Sequence, residues 1–436
     1  MRSMRVGHVA MNKVKVTLIG FNWSNHFSLA AGYLKAYAEK DPLIRRRALI
    51  QIVDFDAETH DVRQALCYLS KERPDLVGFS CYCWNMHKIL DLSRLLKQLY
   101  PEMKIIFGGP EVGPAAEKYM MENPAVDVIV RGEGELTFQE LLRSYVDEAD
   151  SLASIKGITY RKNGRVVNTE GRPLIDDLGD IPSPYLTGIL TPTDEVTYLE
   201  TFRGCPYQCA FCFEGKNFPR LRFFPEERVK QEIELIMSNP HIRSFHVVDS
   251  VFNLKKNRLR RLAQMFSHAN SFGAGLRTVE VMTELIDEET VALLKEANVL
   301  SVETGPQTVN TKTLNNVNRY YQKEKFNRGI KLLLDAGIEV LTDLIIGLPG
   351  DNFFRFCRSV KAMMELKPTT IVFSILHVLP GTELYSKADK FGLQFDDKAP
   401  HLVLQNDTFA YDEIDKAVVM AASVEKEYGL TLHRSE

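Results

Sequence analysis

Along most of this chain, short runs rich in β-branched residues alternate with longer runs of helical spacing, and that alternation constrains the fold more than any single residue does. In the first part the strand-like runs are VKVTLIG (14–20), ALIQIVDF (48–55), LVGFSC (76–81), KIIFGG (104–109) and VDVIVRG (126–132). Helically spaced segments such as HKILDLSRLLKQLY (87–100) stand between them. Apolar strands separated by helices predict an open, doubly wound, Rossmann-like α/β sheet. Ligands of such sheets sit beyond the carboxyl ends of the strands. That singles out the loops GFNWSNHF (20–27), SCYCWNMH (80–87), GGPEVGP (108–114) and RGEGELTF (131–138).

Residues 146–195 change character. GITYRKNGRVVN reads as a hairpin turning at Asn163-Gly164, and DDLGDIPSPYL, with two prolines, reads as a linker. From Val196 the alternation restarts with VTYLETFR (196–203), RSFHVVDS (243–250), RTVEVMTE (277–284), VLSVETG (299–305), IEVLTDLIIG (338–347) and TTIVFSILHV (369–378). PEERVKQEIELIM (225–237) and DEETVALLKEAN (287–298) are helical runs between them. Six βα units predict a partial (β/α)6, TIM-like barrel with its chemistry at the strand C-terminal ends. The expected organisation is a Rossmann-like domain over 1–145, a hairpin and linker over 146–195, and a barrel over 196–399. A short C-terminal helical segment over 400–436 ends in DEIDKAVVMAASVEKEYG.

A 436-residue chain with 45% hydrophobic and 25% charged residues has the composition of a globular protein. Its formal net charge of −3 argues against bulk binding to nucleic acid or to an anionic membrane. No apolar run approaches the roughly 20 residues of a membrane span. The opening stretch has no secretory apolar core, and the residues before Val14 read as a disordered lead-in. Seven unevenly spaced cysteines without an export signal read as reduced thiols, so the expected location is cytoplasmic.

Three of those cysteines, Cys205, Cys209 and Cys212, crowd into RGCPYQCAFC (203–212) just after the first strand of the second part. Thiolates are soft ligands that suit iron–sulfur clusters, zinc or copper. A structural zinc site wants four protein ligands, and no fourth cysteine or histidine lies near in sequence. A four-iron cluster held by three cysteines keeps one iron open to a small molecule. A zinc site completed from elsewhere and a chance group of core cysteines are the plainer readings.

C-x3-C-x2-C with Phe211 before its last cysteine resembles the radical S-adenosylmethionine (SAM) superfamily. FHVVDSVFN (245–253), VETGPQTVNTKTLNNVNR (302–319), DLIIGLPGD (343–351) and HVLPGTELY (377–385) resemble the branch with an N-terminal cobalamin-binding domain. GGPEVGP and RGEGELTFQELL are similar to that domain's loops. The resemblance implies a [4Fe–4S] cluster on Cys205, Cys209 and Cys212, with SAM on the open iron. It also implies one-electron cleavage of SAM to a 5′-deoxyadenosyl radical, and an external reductant such as flavodoxin or ferredoxin.

The same resemblance places further residues. Asp249 would hold the SAM amino group or ribose, against the plainer reading of a strand-end or capping aspartate. Glu303 would meet a ribose hydroxyl or the sulfonium, since a carboxylate at a strand end needs a partner when buried. Gly347 and Gly350 would let backbone approach the adenine, or form an ordinary turn. Arg319 would meet a carboxylate of cofactor or substrate, or a structural ion pair. In the first domain Gly108 and Gly109 would lie against the corrin ring, and Gly132, Glu133, Gly134 and Glu135 would flank the nucleotide tail or cap the next helix. The D-x-H-x-x-G motif that supplies a cobalt ligand in methionine-synthase-like domains is absent, and His60 has the wrong spacing. Members of the radical branch also lack it. Tyr82, Trp84 and Asn85, with Cys83, would then lie near the lower corrin face, unless CYCWN is simply a packed strand end. His26 and His87 are more ordinary than ligating, and Cys67, Cys81 and Cys357 form no metal pattern.

The expected function is a cobalamin-dependent radical SAM methyltransferase acting at an unactivated carbon. Only 37 residues follow Ala399, which favours a small-molecule or natural-product substrate over a peptide. Two alternatives stay open. One is a radical enzyme of the same architecture that rearranges, cyclises or oxidises without methylation. The other is a cobalamin- or redox-sensing binding protein.

Overall fold

The computed structural model describes residues 13–23, 26–147, 152–194 and 197–427. The lead-in expected before Val14 lies, apart from Lys13, outside the described residues. The chain divides into two compact units, Met1–Ile175 and Asp176–Glu436.

In the first unit the apolar runs become β1 (Val14–Asn22), β2 (Ala48–Asp56), β3 (Leu76–Ser80), β4 (Lys104–Gly108) and β5 (Val128–Val130). The sheet order is β2-β1-β3-β4-β5, with parallel pairing throughout this set. Strand order reverses between β1 and β3, the switch point where such sheets open a crevice at their carboxyl ends. The crossover helices bury one stripe each. In Met86–Leu99 the stripe is Met86, Ile89, Leu92 and Leu96, spaced at three and four residues.

The hairpin assigned from sequence to a linker region extends this sheet instead. β6 (Ile158–Lys162) pairs antiparallel with β5, and β7 (Arg165–Asn168) pairs with β6, making seven strands. Ile158 and Tyr160 enter the same core as Val128, Val130 and Phe138. That burial carries the first unit to Ile175 rather than to a boundary near 145.

The second unit is the partial barrel. Its parallel strands are β8 (Tyr198–Leu199), β11 (Ser244–Val247), β12 (Gly275–Arg277), β13 (Val279–Glu280), β14 (Ser301–Gln307), β15 (Glu339–Ile346) and β16 (Thr370–Ile375). They form the runs β8-β11-β12 and β13-β14-β15-β16. Two strands expected as single runs are broken. The 196–203 run splits into β8 and β9 (Phe202–Arg203), and β9 pairs antiparallel with β10 (Arg222–Phe223). The 277–284 run breaks at Thr278, whose φ is +51°. Beyond the barrel, β17 (Gln394–Phe395) pairs antiparallel with β18 (Val403–Gln405) before the last helix, Tyr411–Glu427.

Gly109 shows how tightly the β4 loop is built. Its φ is +127°, and a Cβ there would stand 2.4 Å from the Cys81 carbonyl oxygen. That oxygen accepts from the Glu111 amide, and the Cys81 amide donates to Gly108 O, so the neighbouring backbone has little freedom to withdraw. Gly109→Ala is therefore expected to destabilise the chain by more than about 1 kcal/mol. A thermal melt in which this variant matches the parent would contradict the packing described.

Candidate active site

The cysteine loop leaves β9 through Gly204, whose φ is +99° and whose Cβ position lies 2.4 Å from the Arg220 carbonyl oxygen. Only glycine fits that conformation beside that backbone. Cys205 N–H donates to Phe218 O (3.0 Å), Ala210 N–H to Val317 O (2.8 Å) and Cys212 N–H to Cys209 O (3.0 Å). Ser250 Oγ–H donates to Gly204 O at 2.7 Å. The loop is thus tied to its surroundings at its start and in the middle and closed on itself at Cys212.

Beneath it lies Asp249, 1% exposed. Its carboxylate accepts from the Thr201 amide (2.7 Å), the Phe202 amide (3.3 Å) and the Thr201 hydroxyl. Arg258 Nη2 donates to Thr201 O at 3.0 Å and adds a nearby positive charge. Burial pushes the Asp249 carboxyl up to about 6, and these hydrogen bonds hold it from rising further. Both oxygens are occupied by the chain itself. Asp249 thereby fixes the approach to the cysteine loop.

All seven cysteines are free thiols. Burial pushes the Cys205 and Cys212 thiols up, and neighbouring cysteines add to the rise. Among the described residues no group of three His, Cys, Asp or Glu side chains converges on a single metal ion. The three thiols instead lie along one loop, close enough to disfavour each other's ionisation. A cluster with its irons at separate corners fits such donors, and its positive irons would relieve their repulsion.

A wall of carboxylates lines the same barrel. Glu280 on β13 is in register with Glu303 on β14, and Glu303 is in register with Leu341, two residues before Asp343 on β15. Val279, Val302, Val340 and Thr342 alternate with them and are fully buried. The acids therefore share the opposite face, towards the barrel interior. Crowding by surrounding protein raises the Glu280 carboxyl to about 8 although solvent still reaches its side chain; the charge of Glu303 adds to the rise and Arg319 opposes it. Burial also lifts Glu303, and lifts Asp343 well above the usual range with the charges of Glu303 and Glu280 behind it. Asp343 Oδ1 is buried without a hydrogen-bond partner. Glu280 and Asp343 carried no sequence signal of their own; they emerge only from the register of three strands.

Arg319 is anchored within the chain by two contacts. Its Nη2 donates to Gly305 O (2.6 Å) and its Nη1 to Cys209 Sγ (3.7 Å). Gly347 and Gly350 are turn residues closed over by protein. A Cβ on Gly347 would meet Val403 Cγ1 at 2.5 Å, and one on Gly350 would meet Asn316 Nδ2 at 2.7 Å. Gly350 N–H donates to Thr408 Oγ1, and its carbonyl accepts from Asn310 and Arg355. At both positions neighbouring side chains of the chain make the close approach that glycine allows.

In the first unit the singled-out loops follow β3, β4 and β5 at one end of the sheet. Tyr82 and Trp84 stack with ring centroids 4.3 Å apart and planes 13° from parallel. Trp84 Nε1 is buried without a partner. No atom lies within 4 Å of a Cβ built on Gly132, and Gly108 has only an ordinary contact with Val130. A flat aromatic pair, an unanswered indole N–H and bare backbone suit a large planar ligand such as a corrin.

The other expected contacts are spent internally. Asn85 is fully buried; its amide donates to Phe21 O and Ser80 O and its oxygen accepts from Tyr82 N–H. Glu133 accepts from Ile175 N–H at 2.8 Å, and Gly134 faces Leu34. Glu135 is buried at the start of the helix Glu135–Asp147, where a negative charge meets the helix dipole. Burial lowers the pKa of both His26 and His87, which keeps each imidazole neutral near physiological pH.

Comparison with known proteins agrees with both halves. The radical SAM superfamily model matches residues 199–363, and the B12 binding domain model matches residues 16–142. The chain is 27% identical over 354 residues to the uncharacterized methyltransferase PH0819 of Pyrococcus horikoshii, covering 79% of this chain and 76% of that protein. It is 25% identical over 399 residues to the cobalamin-dependent radical SAM methyltransferase TokK of Streptomyces tokunonensis. That alignment takes in 87% of this chain but only 58% of TokK. The structure of the methyltransferase TsrM from Kitasatospora setae, with cobalamin and a [4Fe–4S] cluster bound, superposes with a TM-score of 0.70 at 20% identity. The match covers 89% of this chain and 78% of that one and bears on the fold.

Two predictions follow from this geometry. Asp249→Ala leaves three buried donors unanswered below the cysteine loop, at a cost of roughly 1–3 kcal/mol for each. Iron retained per chain after anaerobic reconstitution should fall clearly below the parent, and parent-level iron would contradict the assignment. The second concerns pH. Between the ordinary 4.5 and about 8 the folded chain keeps a proton on Glu280 that the unfolded chain has released. Stability of the metal-free protein therefore falls as pH rises through that window. The Glu280 side chain stays accessible to water, so the fall is smaller than the shift alone implies. The urea midpoint should drop between about pH 6 and about pH 9 in the parent and drop less in Glu280→Gln. Equal drops would remove Glu280 from the account.

Proposed function

The chain belongs to the radical SAM superfamily and carries a B12 binding domain in its N-terminal half, and from that premise we propose that it is a cobalamin-dependent methyltransferase acting on an unactivated carbon of a small molecule. One observation carries the proposal: three free thiols on a single braced loop, in the same barrel unit as an acidic wall with a buried unpartnered oxygen. Relatives bearing methyltransferase names over most of this chain support the methyl-transfer outcome.

Cys205, Cys209 and Cys212 would hold the cluster. Bound cluster, SAM and cobalamin supply one-electron bond cleavage and a transferable methyl group. The chain's own part is positioning and protection. Asp249, Thr201 and Arg258 fix the start of the cysteine loop. Glu303, with Glu280 and Asp343 beside it, offers acceptors to the hydroxyls and positive charge of SAM. Tyr82 and Trp84 would offer an aromatic face to the corrin. Electrons would come from an external low-potential carrier of the flavodoxin or ferredoxin class.

The test is anaerobic reconstitution followed by product analysis. The parent should bind about four irons per chain and cobalamin. With a strong reductant, SAM and an accepted substrate it should yield both S-adenosylhomocysteine and 5′-deoxyadenosine. Cys209→Ala should lower deoxyadenosine formation at least about 100-fold, since the cofactor carries the chemistry. Protein that binds no cobalamin, or turnover that gives deoxyadenosine without S-adenosylhomocysteine, would sink the methyl-transfer reading.

A further inference from the structure

The stretch KKNRLRR (255–261) places five cations in seven residues with no acid among them. It opens the helix Lys256–Ala269, which starts without a side-chain cap, so the positive end of the helix adds to the same field. With Phe223 and Glu226 this turn lines a groove of about 580 Å³. Three acids answer part of the charge: Glu226 pairs with Arg261, Asp287 with Lys256, and Glu289 with Lys256 and Arg260. Five cations against three acids leave the rim net positive. Lys255 is exposed and, among the described residues, stands in no ion pair; its Nζ lies 4.7 Å from the centroid of the half-buried Phe223 ring. The groove reaches the cysteine loop by two short routes. Leu254, immediately before Lys255, packs on the buried group Cys205, Val251 and Met282. Phe223 on β10 pairs with Phe202 on β9, their ring centroids 5.5 Å apart, and β9 runs through Gly204 into Cys205.

We propose that this groove is the docking surface for the protein that supplies the cluster with electrons, an acidic one-electron carrier with a flavin or iron–sulfur centre. The inference rests on the reading of Cys205, Cys209 and Cys212 as cluster ligands. The step is a single electron transfer: the carrier is oxidised by one electron, the cluster is reduced by one, and no bond is made or broken. Such a transfer needs a close but brief approach of two centres, and a small charged surface steers that encounter without holding it. Long, mostly exposed cations spread over two helical turns meet a broad acidic face, whereas a small anion would need donors that converge on one point. The existing pairs with Glu226, Asp287 and Glu289 are surface pairs worth at most about 1 kcal/mol each, so exchanging them for a partner's carboxylates costs little. Phe223 gives the contact an apolar spot beside the strand that leads to Cys205.

The experiment follows cluster reduction by stopped-flow absorbance in the anaerobically reconstituted full chain, with iron content measured first. Reduced flavodoxin at sub-saturating concentration is the carrier, and photoreduced deazariboflavin is the small uncharged control. The parent, K255E and the double variant K255E/R261E are compared. The expected result is a second-order rate constant with flavodoxin at least about 10-fold lower in the double variant, with K255E in between. Added salt should slow the parent's reaction with flavodoxin and not the double variant's. Deazariboflavin should reduce all three alike. Should the double variant lose iron, K255E and K255Q carry the comparison. Equal flavodoxin rates in iron-replete parent and variants overturn the proposal. So does an equal loss with deazariboflavin, which would put the defect in the cluster itself. Saturable binding of inorganic phosphate that K255E abolishes, with the flavodoxin rate unchanged, overturns it in favour of a small-anion site. A parent reduced by deazariboflavin but by neither flavodoxin nor ferredoxin overturns the docking surface and leaves the cluster assignment standing. A parent that assembles no cluster overturns that assignment as well.

Discussion

A single buried carboxylate decides where the barrel's first strand stops being a strand. Asp249, two residues past the end of β11, reaches back across 48 residues of sequence to gather two amides and a hydroxyl at Thr201 and Phe202. Those amides would otherwise continue the pairing of β8. Held by Asp249, they turn the chain into β9, through Gly204 and into the cysteine loop. Removing water from this carboxylate is unfavourable, and its three hydrogen bonds with the Arg258 charge offset that cost. The geometry of the thiols is inherited from this junction.

The barrel interior is an electrostatic problem as much as a shape. Three carboxylates share one face across β13, β14 and β15, and the Arg319 cation close to them is committed to Cys209 and Gly305. Loss of water around the acids, with the repulsion of like charges added, keeps protons on the wall above the usual carboxylate range. Such a surface is strained without a ligand and relaxed by one that brings positive charge and hydroxyl donors. A sulfonium nucleoside has both. The first unit shows the complementary case: after β3 the stacked rings of Tyr82 and Trp84 present a flat aromatic face, as a macrocycle would need.

Much of this was legible before any coordinates. The strand runs, the loops at their carboxyl ends and the cysteine spacing are local properties, written in contiguous residues. What is not legible is which partners distant in sequence each residue finds. VVD ends a strand in the sequence, and only the fold brings Thr201 to the Asp249 carboxylate. Asn85, Glu133 and Gly350 bond Phe21, Ile175 and Thr408, which no local pattern announces. Glu280 and Asp343 were passed over for the opposite reason. Neither belongs to a motif, and their importance comes from strand register alone. The hairpin was recognised as a hairpin, yet its placement on β5 depends on burying Ile158 and Tyr160 against a core built from residues upstream.

The central claim is that three cysteines leave one iron of the cluster for SAM. Electron–nuclear double resonance on the reduced, reconstituted protein, with SAM carrying an isotopically labelled amino nitrogen, addresses it directly. The account predicts a hyperfine coupling between the label and the cluster, abolished when any one of Cys205, Cys209 or Cys212 is replaced. A fully assembled cluster that shows no coupling to bound SAM would contradict it.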